Sequence, residues 1–308
     1  MKKLNKILSL ALALIMVLAL CACSSQSASA PAAEAPAEAA PAEAAPAEAA
    51  ADNGVLDTIK AEGVLYVALS PDFAPMEFVD ASKEGQEQFV GFDVSLAKYL
   101  AEYLGVELVI EPLSFDACQT AVYTGAVPMS ISGFSWTEER AENYELSDEY
   151  IAGENETEQV ILIKAEDAEK YTTAEDFNGL DVGAQIASLQ MDYLTAQIPE
   201  ANPITIGDIN TGILELKSDN IVGLAVAVGN AKSIIASNPE LAICEWQFDV
   251  DLAHENNVVM ITKGETALLD VVNEALAKAK ADGLYGEWYE AAVALAASEN
   301  AAEVSVED

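Results

Sequence analysis

The apolar positions of this chain fall into three regimes. Ile7 to Ala22 is a continuous apolar run broken only by Ser9. Ser24 to about Asn53 consists mainly of Ala, Pro, Glu and Ser and holds no large apolar side chain that could be buried. From Val64 onward, short apolar runs alternate with segments whose apolar residues recur at helical spacing, the pattern of strands and helices packed in layers. Val64 to Leu69 (VLYVAL) predicts a strand. After it Val94, Leu96, Ala97, Leu100, Ala101 and Leu104 fall on one helical stripe that Gly105 stops. A strand at Val106 to Ile110, a helix from about Asp116 to Thr124 and a strand at Val127 to Ile131 follow.

The second half repeats the alternation. Val160 to Ile163, Leu180 to Ala184, Asn202 to Ile206, Val222 to Val226 and Leu241 to Ile243 read as strands, with helices at Ser188 to Gln197 and Thr211 to Leu216 among them. Val258 to Ile261 predicts another strand. Leu268, Leu269, Val272, Ala275, Leu276 and Ala279 then mark a long helix, and a last helix spans about Tyr285 to Ala296. The fold class is therefore α/β. Two α/β lobes with the chain returning to the first is one economical arrangement, and periodicity alone does not say which strands share a sheet.

The N-terminal run changes the picture of where the protein works. Lys2, Lys3 and Lys6 precede it, and it is too short for a comfortable crossing of a hydrocarbon core, which needs about 20 residues. It reads as a cleaved signal peptide, residues 1–22. Its end, Leu20-Cys21-Ala22-Cys23, resembles the bacterial lipobox, which implies lipidation of Cys23 and attachment to the outer face of the cell membrane. The following residues, 23–53, with PAEAA recurring from Pro36 to Ala50, cannot offset their ordering entropy and read as an extended tether.

Charge and cysteines narrow the chemistry. The chain carries 14 basic and 52 acidic residues, and loss of the three signal lysines would take its net charge from −38 to −41. Such a charge argues against nucleic acid and anionic lipid headgroups as partners. Cys118 and Cys244 fall in different candidate lobes, which favours buried thiols over a disulfide. A single histidine, His254, and the lack of a CxxC pair argue against a transition-metal site, so no cofactor is expected.

Five segments, in order, resemble the polar amino-acid-binding branch of the bacterial solute-binding proteins of family 3, which serve ATP-driven (ABC) importers. They are SPDFAPMEF, GFDVSLAKYLAEYLG, GFSWTEER with Leu146-Ser147 and Tyr150 beyond it, DFNGLDVGAQ, and VVNEALAKAKADGLYGEWY. Each is weak alone; five in register over about 220 residues are specific. The resemblance implies a type II periplasmic-binding-protein fold, two α/β lobes joined by two hinge strands with the cleft between them. Lobe 1 would comprise residues 56–149 and 256–299, and lobe 2 residues 153–253. The implied ligand is a small carboxylate such as an amino acid, and the implied partner an ABC permease.

Arg140 is the leading candidate for the site, because it matches the family arginine whose planar donor fork pairs with a ligand carboxylate. The bland alternative is a surface arginine bridging Glu138, Glu139 or Glu142. Gly133 and Ser135 precede it in a turn whose backbone N–H groups and hydroxyl could join the same cradle. Thr137 could instead cap the helix carrying Arg140. Ser188 opens a predicted helix, where unpaired N–H groups suit an anion and where a cap without ligand serves equally well. Phe73 and Phe115 match family positions with bulky groups about the ligand, although core packing is the usual fate of phenylalanine. Trp136 is as much hinge packing as ligand wall.

The sequence departs from the family at two places. Ile186 and Ala187 stand where Gly and Thr are usual. Ala227 stands where an aspartate usually binds the ligand's ammonium, and its neighbours Val226 and Val228 are apolar. An ammonium desolvated without an acceptor is costly, so either Asp72, Glu77, Asn230 or Gln185 holds it, or the ligand has no α-amino group. Two rival functions stay open at this stage. A cleft enzyme of dehydratase or lyase type would need a positioned acid or base, for which His254 is the candidate. A sensory module handing its ligand state to a receptor would look the same in sequence.

Overall fold

A computed structural model describes residues 54–151, 153, 158–250, 256–297 and 301–302. The signal, the tether, Cys23 and His254 lie outside the described residues. In chain order, helix α1 (Gly54–Glu62) leads into β1 (Val64–Leu69), β2 (Asp72–Phe73), β3 (Glu77–Asp80), β4 (Phe89–Val90), α2 (Phe92–Leu104), β5 (Glu107–Pro112), α3 (Phe115–Tyr123), β6 (Met129–Ser130), α4 (Glu138–Asn143) and β7 (Glu145–Leu146). Next come β8 (Gln159–Lys164), β9 (Asp181–Gln185), α5 (Leu189–Gln197), β10 (Asn202–Ile206), α6 (Ile209–Lys217), β11 (Gly223–Ala227), α7 (Val228–Ser237) and β12 (Leu241–Gln247). The chain closes with β13 (Met260–Ile261), α8 (Thr266–Ala281), α9 (Leu284–Ala296) and β14 (Ala301–Ala302).

Two five-stranded sheets organise two lobes. The first runs β5-β1-β6-β13-β7, parallel from β5 through β6 and antiparallel at β13; the second runs β10-β9-β11-β8-β12, parallel from β10 through β11 and antiparallel at β8 and β12. The first sheet thus draws β13 from the far end of the sequence, so the chain leaves the first lobe after β7 and returns after β12. The two crossings are paired where Tyr150 N donates to Asn257 O (2.8 Å) and Asn257 N donates to Tyr150 O (3.0 Å). This is the two-lobed, doubly crossed α/β architecture that the family resemblance implied.

The cores follow from strand periodicity. In β8, Val160 and Leu162 pack on one face with Ile209, Ile213 and Ile234, while Ile161 and Ile163 pack on the other with Phe177 and Leu194. A strand covered on both faces reads as an unbroken apolar run, which is why QVILIK shows no alternation. In the first lobe, Phe92 is fully buried and stacks on Tyr150 at 5.9 Å and edge-on to Tyr285 at 5.7 Å. Burial of such a side chain contributes about 1.5–3 kcal/mol.

Several bounds shift from those expected. The strand expected over Val127 to Ile131 shortens to two residues, in keeping with Pro128, which has no N–H to donate to a ladder. Helix α7 occupies Val228–Ser237, where no helix was expected, with Val228, Ala231 and Ile234 buried. The small sheet β2-β3-β4 was also unexpected; strands of two to four residues carry no readable period. Cys118 and Cys244 are free, buried thiols belonging to different sheets' cores.

Candidate functional site

Gly91 starts the construction of the site. Its φ is +125°, and a Cβ there would lie 2.2 Å from Met76 O, so only glycine lets the start of α2 close on the Pro75-Met76 turn. Phe92 N then donates to Pro75 O (3.1 Å) and Asp93 N to Met76 O (2.8 Å). This places the Asp93 carboxylate in the interior, where Oδ2 accepts from Gly133 N (2.8 Å) and from Tyr150 Oη (3.0 Å).

Gly133 has φ +58°, and a Cβ there would come within 2.9 Å of the Phe73 ring. The turn it forms brings Ser135 to the base of the cleft and starts the approach to α4. Thr137 caps that helix by accepting from Arg140 N at 3.1 Å. Arg140 is 7% exposed and is not a surface arginine bridging its glutamate neighbours. Its Nη1 donates to Ser135 O (2.8 Å), its Nη2 to Ala187 O (3.3 Å), and its guanidinium lies 5.4 Å from the Phe134 ring centroid and 5.8 Å from that of Phe115. Aromatic faces and carbonyl dipoles hold the cation in place away from bulk water.

The second lobe supplies the opposite wall. Ser188 caps α5, accepting from Met191 N (3.2 Å) and donating its own hydroxyl to Gln185 O (2.6 Å). Gln185 ends β9 and reaches across to Asp72 Oδ2 (3.1 Å). Ile209 N, at the start of α6, donates to the same oxygen (2.7 Å), and Ser70 Oγ donates to Oδ1 (2.8 Å). Burial, opposed by these hydrogen bonds, pushes the Asp72 carboxyl up to about 6. Gln119 Nε2 to Ala187 O (3.2 Å) and Asn230 Nδ2 to Ala74 O (3.1 Å) add further bonds between the lobes.

Phe73, Phe115, Gly133, Ser135, Arg140, Gln185 and Ser188 all line one cavity between the lobes, with Asp72, Ser132, Leu189 and Gln190. The cavity measures about 30 Å³. That is room for about two waters and not for an amino acid. Gly133 was expected to offer its N–H to a ligand; that N–H is committed to Asp93, and the residue forms a tight turn in the cavity wall. Ser132, Leu189 and Gln190 were missed; adjacency to Gly133 and to the Ser188 cap was the signal available.

Beneath the turn lies a buried acid pair. Ser132 Oγ donates to Glu77 Oε1 (2.6 Å) and accepts from Ser70 N (2.9 Å). Burial and then the Asp93 charge hold Glu77 well above the usual carboxylate range, and burial lifts Asp93 to about 6, so the pair retains a proton that each carboxyl can share. Glu77 is wholly buried and does not line the cavity. Among the described residues no cluster of three or more His, Cys, Asp or Glu side chains is placed to hold a metal, and no helix is long and apolar enough to cross a membrane.

Comparison with known proteins places this architecture. Residues 65–293 match the model of the bacterial extracellular solute-binding proteins, family 3. The L-cystine-binding protein TcyJ of Escherichia coli is 27% identical over 79% of this chain and 89% of its own. The arginine-binding extracellular protein ArtP of Bacillus subtilis is 27% identical over 71% of this chain and 82% of its own. Among solved structures, an arginine-bound amino acid ABC transporter substrate-binding protein, AbpA of Streptococcus pneumoniae, superimposes with a TM-score of 0.72 at 30% identity, covering 79% of this chain and all of that one. With three quarters of its length matched by the family model, two crossed α/β lobes and a polar cavity between them, the chain belongs to the bacterial extracellular solute-binding proteins of family 3.

Proposed function

We propose that this protein is a lipid-anchored extracytoplasmic receptor that captures an amino acid or a related small carboxylate and delivers it to an ABC permease. Cys23 is the lipidated residue after removal of residues 1–22, residues 23–53 are the tether, and the lobes are residues 56–149 with 256–299 and residues 153–253. Arg140 binds the ligand's carboxylate, with Ser135, Ser188 and Gln185 completing the polar cradle and Phe73, Phe115 and Gly133 shaping it. The observation that carries the reading is a buried guanidinium lining a cavity between two lobes, in a protein with few cations.

Capture works by closure. Arg140 spans from Ser135 of one lobe to Ala187 of the other, so a carboxylate beside it gains bonds from both sides only when the lobes are together. Its differential affinity for that state shifts the population toward it, and the closed form is what the permease recognises.

The test is mass spectrometry of small molecules released on denaturing the purified protein, followed by calorimetric titration of each into wild type and Arg140→Ala. A carboxylate that binds wild type and is lost in the variant is expected. A ligand without a carboxylate, or one whose affinity ignores Arg140, overturns the reading.

A further inference from the structure

We propose that Asp72 is a positioning residue for capture: its carboxylate, rooted in the first lobe, caps the start of helix α6 in the second and so holds the two lobes together by protein bonds alone. The clamp rests on contacts between the lobes, and its consequence for affinity rests on the capture reading above.

Asp72 is fixed on its own lobe first. Ser70 Oγ donates to Oδ1 (2.8 Å), and Ser70 N is itself held by the hydroxyl of Ser132 (2.9 Å), just beyond β6 of the first sheet. Oδ2 faces the other lobe, where it accepts from Ile209 N (2.7 Å) and from Gln185 Nε2 (3.1 Å). Ile209 is the first residue of α6, and the first N–H groups of a helix find no partner within it. Asp208 caps the same helix from inside its own lobe, but its side chain accepts from Thr211 N (2.9 Å) and leaves Ile209 N to Asp72. Burial chiefly, with a smaller push from the Asp208 charge, raises the Asp72 carboxyl to about 6, which still leaves it ionised at neutral pH. Both bonds across the cleft are therefore charge-assisted, and the helix dipole adds to them.

A further contact comes from the same loop. Ala74 O accepts from Asn230 Nδ2 of α7 at 3.1 Å. The segment from Ser70 to Ala74 thus meets β9, α6 and α7 of the second lobe at once, and a rotation that parts the lobes breaks all these bonds together. Water takes their place in an open form, so their strength sets how much of the protein is closed before a ligand arrives. A ligand that binds only the closed form has its apparent affinity scaled by that closed fraction, so the clamp raises affinity without touching the ligand. Ile209 lies outside the cavity lining, which separates this role from a direct contact.

Ile209→Pro tests the clamp from the far side. Proline suits the first position of a helix and removes the N–H, and Asp208 before it is already extended (φ −139°, ψ 154°), the conformation that a following proline favours. Ile209→Ala is the control, because it loses the same buried side chain and keeps the N–H. Nitroxide labels on cysteines introduced at the exposed Thr124 and Thr195, one in each lobe, report the distance between the lobes by double electron–electron resonance in protein freed of small molecules by dialysis; Cys118 and Cys244 are buried and stay unlabelled. Wild type and Ile209→Ala are expected to give one short distance, and Ile209→Pro and Asp72→Ala a longer one in most molecules. Calorimetry with the tightest binder among the twenty proteinogenic L-amino acids and L-cystine is expected to show an affinity about tenfold or more lower in Ile209→Pro than in Ile209→Ala, with no further loss when Asp72→Ala is added. Equal distances in Ile209→Pro and Ile209→Ala, or a loss of affinity in Asp72→Ala with none in Ile209→Pro, overturns the clamp and leaves the capture reading standing.

Discussion

Asp93 accepts the Gly133 N–H at 2.8 Å, and through that bond the start of α2 sets the turn that leads to Ser135 and Arg140. The motif GFD and the motif GFS therefore meet in space: Gly91 permits the close approach, Asp93 provides the acceptor and Gly133 presents the turn. Gly133→Ala would add a Cβ within 2.9 Å of the Phe73 ring at a φ of +58°. The expected cost is about 1–3 kcal/mol of stability together with weakened ligand binding, read by thermal unfolding and calorimetry. Unchanged affinity would show that this turn does not shape the cradle.

Arg140→Lys keeps the charge and discards the planar fork. The lysine replaces two separated guanidinium nitrogens, which reach Ser135 O and Ala187 O, by a single compact ammonium without bidentate geometry, so affinity is expected to fall by about tenfold or more, with less effect on unfolding of the ligand-free protein. Titration at low and high salt checks it. Equal affinity in the two proteins would mean that a point charge suffices.

The Glu77 and Asp93 pair predicts a pH dependence. Both carboxyls are raised in the folded state, Asp93 to about 6 and Glu77 well above the usual range, chiefly by burial. The folded protein thus binds more protons here than the unfolded chain, so the pair's stabilising contribution is present below the unfolded value of about 4 and is lost as pH rises through about 6 and beyond. Glu77→Gln puts a permanent N–H in place of the shared proton and still offers Ser132 an acceptor. Melting temperatures taken from about pH 5 to 9 should fall in wild type over the upper part of that range and fall less in the variant; parallel curves would dismiss the shared proton.

Ala187 occupies the left-handed region at φ +58°, and its carbonyl accepts from both Arg140 and Gln119. Glycine relieves the strain without removing the carbonyl, so Ala187→Gly is expected to raise stability by up to about 1 kcal/mol, or roughly 2–4 °C in a domain of this size. A lowered melting temperature would indicate that the methyl group packs usefully.

Much of this was legible in the residues, for identifiable reasons. Helix α2 was readable because its buried face repeats at 3.6 residues and Gly105 stops it at φ +74°. Strand β8 was readable because both faces are covered and the run is uniformly apolar. Helix α7 carried the same kind of signal in Val228, Ala231 and Ile234, but its apolar start merges with β11, and composition alone cannot mark where one period gives way to the other.

By itself the sequence determined the α/β class, because periodicity is a local property; composition raised the export and tether segments as expectations, and the resemblance to the family did the same for the residues that face the cleft. Tertiary structure decided what depends on contacts between distant residues. It gave the Gly133 N–H to Asp93 across 40 positions, tied Asp72 to Ile209 across 137, and set Arg140 against Ala187 of the other lobe. Hydrogen bonds of such reach are chosen by how the lobes pack, and no local pattern of residues encodes them.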